Sequence, residues 1–104
     1  QRMEFHRRLA ETSTLPAVRK LRAELADRYG RLPKAAARLV KVAEFRVLLA
    51  KAGYSRLDVR NGRGMFYTEG ARDVAFVAHV EGNTAERKLA SLVKALLEHS
   101  ARAS

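Results

Sequence analysis

Glu24, Asp27 and Arg28 are the residues whose types and spacing come nearest to a built site. They stand at i, i+3 and i+4, so on a helix they share one face. Two carboxylates grouped this way can receive arginines of a partner, with Arg28 orienting them through charge-assisted hydrogen bonds. The competing reading is internal: Arg28 ties back to Glu24, an exposed pair worth ~0.3–0.5 kcal/mol, and Asp27 holds the adjoining corner together. Acidic groups are unfavourable near a helix C-terminus, where the dipole is negative. Two of them there, in a chain with 21 Lys+Arg against 11 Asp+Glu, point to a purpose other than helix stability. As an acid–base couple, Asp27 and Arg28 read poorly, because a neighbouring arginine favours the charged carboxylate.

The other reactive side chains form no constellation. His6, His79 and His99 are scattered, with no pair at metal-ligand spacing, and are expected as ordinary surface or strand residues. Asn61-Gly62-Arg63-Gly64 is glycine-rich, but it joins two extended stretches and lacks the Lys-Ser/Thr of a phosphate-binding loop, so it reads as a hairpin turn. Ser13, Ser55 and Ser91 have no His and Asp at predictable positions for a triad. No catalytic residue, metal site or cofactor is therefore expected within these residues.

The net charge of +10 draws such a chain towards nucleic acid or an acidic protein surface. The excess lies in the first half, where residues 1–53 hold 13 Lys/Arg against 5 Asp/Glu. It is spread over several segments, which equally suits a solvated basic surface. No cysteine is present, which removes disulfides and thiolate metal sites and favours an intracellular, cytoplasmic home. No apolar run approaches the ~20 residues of a membrane span, so a membrane is not an expected partner. The 104 residues suit one small domain, 1–104, with a single core. The opening Gln1-Arg2, on a helical pattern already under way, suggests a piece of a longer protein.

The elements that position Glu24, Asp27 and Arg28 follow from periodicity. Residues 1–10 form a short helical segment with a ragged apolar face of Met3, Phe5, Leu9 and Ala10. Thr12-Ser13-Thr14 supplies caps for the next helix, and Pro16 suits its first turn. Leu15, Val18, Leu21, Leu25 and Tyr29 then recur at three and four, the stripe of a half-buried helix. Tyr29, Gly30, Leu32 and Pro33 make a helix-turn-helix corner. Gly30 takes the left-handed C′ position, Leu32 is pushed to extended backbone, and Pro33 opens the next helix where its missing N–H is no loss. Residues 33–52 are apolar around most of their circumference, leaving Lys34, Arg38 and Lys41 as a narrow basic face, so this helix must be packed on more than one side. With so little polar surface and no Asn or Gln, it is a poor reader of bases, and DNA is expected only as a weak electrostatic partner.

Gly53 ends that helix, and from Tyr54 the period changes to two. Leu57 and Val59 alternate with charged residues, Asn61-Gly62 signals a hairpin, Met65–Tyr67 return, and a third strand spans Val74–Val80. Asn83 with Glu86 resembles a capping box, opening a helix that carries Leu89, Leu92, Val93, Leu96 and Leu97 and frays from Ser100. The expected class is α+β: N-terminal helices with a helix-turn-helix-like corner, a small antiparallel sheet of about three strands, and a closing helix.

Residues 2–10 (RMEFHRRLA), the Thr/Ser link and residues 21–33 (LRAELADRYGRLP) together resemble the C-terminal domain of bacterial transcription-repair coupling factors. That family shows a similar arginine-rich start, an E-L-x-D-R-F-G-x-L-P segment and a Leu/Val/Ala-rich helix like residues 36–52. Tyr29 stands for the usual Phe, and the helical insertion often found between the hairpin and the last strand is missing after Tyr67. The resemblance implies a parent that is an ATP-driven double-stranded DNA translocase, with ATP and Mg bound in motor domains outside these residues. That parent would release RNA polymerase stalled at a lesion and recruit UvrA for nucleotide excision repair. The C-terminal domain would dock on the N-terminal UvrB-like module of the same chain as an autoinhibitory clamp, with Glu24, Asp27 and Arg28 as the partner-binding residues. A free-standing basic nucleic-acid-binding module without catalysis is the alternative.

Overall fold

The computed structural model describes residues 2–103; the side chains of Arg2, Met3 and Ala103 lie outside it, and with them Met3's place in the first apolar face. Chain contacts divide the protein into two compact units, residues 1–48 and 49–104, with the boundary inside the third helix. Among the described residues there are four helices and a three-stranded antiparallel sheet with a helix last, the α+β class expected.

The first unit is helical. Helix α1 (Arg2–Glu11) is closed by Thr12, whose N–H and hydroxyl both donate to the Leu9 carbonyl. Arg46 adds a hydrogen bond to the same carbonyl at 2.9 Å, satisfying an acceptor that the helix leaves free. Thr14 caps α2 (Leu15–Tyr29), accepting the Ala17 N–H at 3.2 Å, and Pro16 sits in its first turn. Helix α3 (Lys34–Lys51) begins immediately after Pro33, whose carbonyl takes the first helical bond from Ala37. Leu9, Val18, Leu21, Val40, Ala43 and Val47 form the core, with Phe5, Leu15 and Leu39 packed against it. Phe45, on the opposite side of α3 from Val40, Ala43 and Val47, is also buried, so the helix is covered on two sides as its composition demands. The expected α2 stripe stops short. Leu25 is half-buried and Tyr29, in the last helical position, is 56% exposed.

In the second unit, α3 ends in a Schellman motif: Gly53 N–H donates to Ala50 and Tyr54 N–H to Leu49, with Gly53 at φ +91°. Strands β1 (Arg56–Arg60) and β2 (Arg63–Tyr67) are joined by Asn61 and Gly62 at φ +50° and +73°, the signature of a type I′ turn. Central β2 also pairs with β3 (Phe76–His79), giving the order β1-β2-β3. The third strand is shorter than Val74–Val80: Val74 is exposed, although backbone bonds from Ala75 to Phe66 and from Val80 to Gly62 extend the pairing by one residue at each end. Register places Leu57, Phe66 and Phe76 in one row and Val59, Gly64 and Ala78 in the next. This face meets α4 (Ala85–Ala103). A Cβ at Gly64 would come within 2.8 Å of a Leu92 methyl, so glycine is needed there for close approach.

Helix α4 departs from expectation at both ends. Thr84, one residue after Asn83, provides the cap, its hydroxyl accepting the Arg87 N–H at 3.2 Å. The helix continues past Ser100 to Ala103. Its His99 is neither a free surface residue nor a strand residue. Its ring stacks on Phe76, with centroids 3.8 Å apart and planes 12° from parallel, and half-burial follows.

Candidate functional site: the corner after the second helix

The last turn of α2 exposes Glu24, Asp27 and Arg28 to solvent. They share the face that their spacing requires, but their partners are not those expected. Glu24 Oε2 accepts a hydrogen bond at 2.7 Å from Arg8 Nη2 of α1, and Arg28 does not tie to it. Among the described residues, Asp27 and Arg28 make no hydrogen bond or ion pair with another side chain. One carboxylate is thus anchored, while the next carboxylate and its neighbouring guanidinium stand free.

Gly30 executes the turn. Its N–H donates to the Ala26 carbonyl at 2.7 Å, and its backbone sits at φ +80°, ψ −141°. The positive φ agrees with the sequence. The ψ lies well away from the left-handed helical value, in a region that glycine alone occupies comfortably. A side chain would meet no atom within 4 Å there, so the demand for glycine is purely a backbone one. Leu32 is half-buried, and Pro33 immediately precedes α3.

An open hollow of about 420 Å³ lies on the other side of the corner, lined by Arg22, Ala26, Gly30, Arg31, Leu32 and Ala37. Residues 22, 26 and 30 are spaced by four along α2, whereas Glu24, Asp27 and Arg28 turn away from that row, so the hollow and the charged group are separate features. Arg8 and Arg46 are the residues that sequence reasoning missed. Arg46 reaches Leu9 and Thr12 from 37 and 34 positions away, and no local spacing announces such contacts. Among the described residues, no group of three or more His, Cys, Asp or Glu could hold a metal ion. Within the same described residues, no helix is long and apolar enough to cross a membrane.

The sequence profile of the TRCF domain matches residues 1–78, which span α1 to β3 and include the whole corner. The chain belongs to the TRCF domain family. A curated relative, the transcription-repair-coupling factor of Haemophilus influenzae (strain ATCC 51907 / DSM 11121 / KW20 / Rd), is 33% identical over 57 residues. That alignment covers 55% of this chain and 5% of the relative, so the TRCF domain here spans a small fraction of the relative's length. Among solved structures, a C-terminal domain of transcription-repair coupling factor superimposes with a TM-score of 0.73 at 18% identity, covering 100% of this chain and 84% of that one. At that identity the likeness establishes the fold: the TRCF domain here has the architecture of a transcription-repair coupling factor C-terminal domain.

Proposed function

We propose that this TRCF domain is a non-catalytic, protein-docking regulatory domain that closes on another module of its own parent through the free end of α2. The observation that carries the reading is the contrast within one helical turn. Glu24 is held by Arg8, whereas Asp27, Arg28 and the 56%-exposed Tyr29 follow one another without a partner side chain. Asp27 and Arg28 offer an unpaired carboxylate and guanidinium on one face, and the exposed Tyr29 ends the Leu21–Leu25 row of the same helical end. A partner that caps this end therefore meets both charge and an aromatic. The fixed Glu24 pre-orients the face at little entropic expense.

On the family resemblance, the partner is the N-terminal UvrB-like module. Docking hides its UvrA-binding surface, and undocking releases it. The parent is then an ATP-dependent double-stranded DNA translocase acting in the cytoplasm, which removes stalled RNA polymerase and hands the lesion to nucleotide excision repair. ATP and Mg belong to its motor domains.

The test is binding of this chain, supplied in trans, to the separately expressed UvrB-like module of the same parent. Asp27→Ala/Arg28→Ala is expected to weaken binding about tenfold or more, since truncating a desolvated charge leaves its partner unpaired. Arg8→Ala, which only loosens Glu24, is expected to have a smaller effect. Absence of binding by the unsubstituted chain, or equal binding by the double variant, overturns the reading.

A further inference from the structure

We infer that the tip of the β1–β2 hairpin is a contact for the phosphate backbone of duplex DNA. Arg60 and Arg63 are direct cross-strand partners on either side of the Asn61-Gly62 turn, and Arg63 is in turn paired with His79 of β3. Strand alternation therefore puts Arg60, Arg63 and His79 in one row on the sheet face opposite Phe66 and Gly64, and all three are exposed. Paired residues in an antiparallel sheet hold their Cβ atoms about 5 Å apart, and like charges placed directly opposite destabilise the pairing. Among the described residues neither arginine has an ion pair or hydrogen bond to relieve this. Asp58, on the same face, is approached at 3.9 Å by Arg56, and Glu81, two residues beyond His79, makes no ion pair with either arginine. Two guanidiniums set side by side by strand register, without an ion-pair partner in the chain, are completed by an anion that bridges or follows them.

The chemistry of the tip selects among polyanions. Arg60, Asn61, Gly62 and Arg63 are all exposed and offer charge and hydrogen-bond donors. The exposed apolar side chains next to them, Val59 and Val77, are single aliphatics rather than the aromatic anchor that protein interfaces favour. Single strands are held largely by stacking bases on aromatic faces. The aromatic rings of this sheet are not available for that. Tyr67 is covered by the Arg56 guanidinium at 3.9 Å from its ring centroid, and Phe66 and Phe76 belong to the opposite, α4-facing side. A regular double-stranded backbone needs neither an apolar seat nor a stacking platform. The contact is sequence-independent and lies in the second unit, so it stands or falls separately from docking through α2.

The experiment is anisotropy of a labelled random-sequence duplex titrated with the 104-residue chain, from about 50 mM to 200 mM salt. Arg60→Ala/Arg63→Ala is compared with Arg19→Ala/Lys20→Ala, an equal loss of charge on exposed positions of α2. Circular dichroism shows that each variant is folded. Two phosphate contacts contribute about 1.8 to the slope of log K against log salt. The hairpin variant is expected to lose about that amount and at least tenfold in affinity at low salt, the α2 variant less than half as much, and Arg60→Lys/Arg63→Lys to recover the slope. Equal losses in the two alanine variants, or absence of duplex binding at the lowest salt, overturn the inference. So does tighter hairpin-dependent binding of a single strand or of polyglutamate, which would assign the tip to unpaired nucleic acid or to an acidic protein.

Discussion

In residues 1–48 the arginines with assigned partners in the structure act on the chain itself. Arg8 reaches Glu24, and Arg46 closes the end of α1. In residues 49–104 the organising contacts are aromatic and backbone ones. Phe66, fully buried, lies between Tyr54 at 5.4 Å and Phe76 at 5.1 Å, Phe76 carries His99, and a type I′ turn fixes the register. The two units therefore leave their charges in different states. Helix packing places side chains of distant sequence side by side, and Arg8 and Arg46 find acceptors that way. A hairpin aligns residues by strict alternation, and Arg60 faces Arg63 whatever their charge. Helix packing thus ties an arginine only where it meets an acceptor, as for Arg8 and Arg46 but not Arg28. Strand register decides the neighbour outright: Arg56 receives Asp58 and Tyr67, and Arg60 receives Arg63.

That contrast can be broken at its strongest point by Phe66→Ala. Removing a fully buried ring between two others is expected to destabilise the fold by about 3–5 kcal/mol, read as a lowered denaturant midpoint. A loss below about 1 kcal/mol would mean that the aromatic cluster does not organise the second unit. Next in size is Gly30→Ala. Space is free around the position, so only the backbone at φ +80°, ψ −141° is strained, by about 1–3 kcal/mol. Equal stability of the variant would show that the corner relaxes to an ordinary helix end. The smallest effect sharpens the comparison. A double-mutant cycle of Arg8→Ala with Glu24→Ala is expected to give a coupling of about 0.2–1 kcal/mol that falls with added salt, because both side chains are nearly half exposed. Zero coupling at low salt would remove the tie on which the anchored half of the candidate site depends.

Legibility followed the range of the interactions. The Asn61-Gly62 turn, the Gly53 stop, a cap for α2 within Thr12-Ser13-Thr14 and the long apolar α3 were all readable, since each rests on a backbone rule or a spacing of a few residues. That Thr14 is the cap and Thr12 instead closes α1 was not. Asn83 misled because Asn and Thr are both good caps and adjacent; Thr84 won by one position. Tyr29 continued the apolar spacing of α2 but fell at its last turn, where periodicity cannot tell how far the covering surface extends. Within the candidate site, the shared face of Glu24, Asp27 and Arg28 was legible. The choice of partner for Glu24 was not, because Arg8 is 16 residues away and Arg28 is four.

By itself, then, the sequence determined the α+β order of elements, the two glycine-dependent helix ends, the two-residue hairpin and the group of charges at the end of α2. Each is decided by local sterics, hydrogen-bond geometry or the helical repeat. Only the tertiary structure decided that Glu24 is bound and Asp27 free, that Tyr29 is exposed, that His99 joins an aromatic stack, and that Arg60 and Arg63 stand in one unrelieved row with His79. These depend on which distant surfaces meet, a choice set by the packing of whole elements.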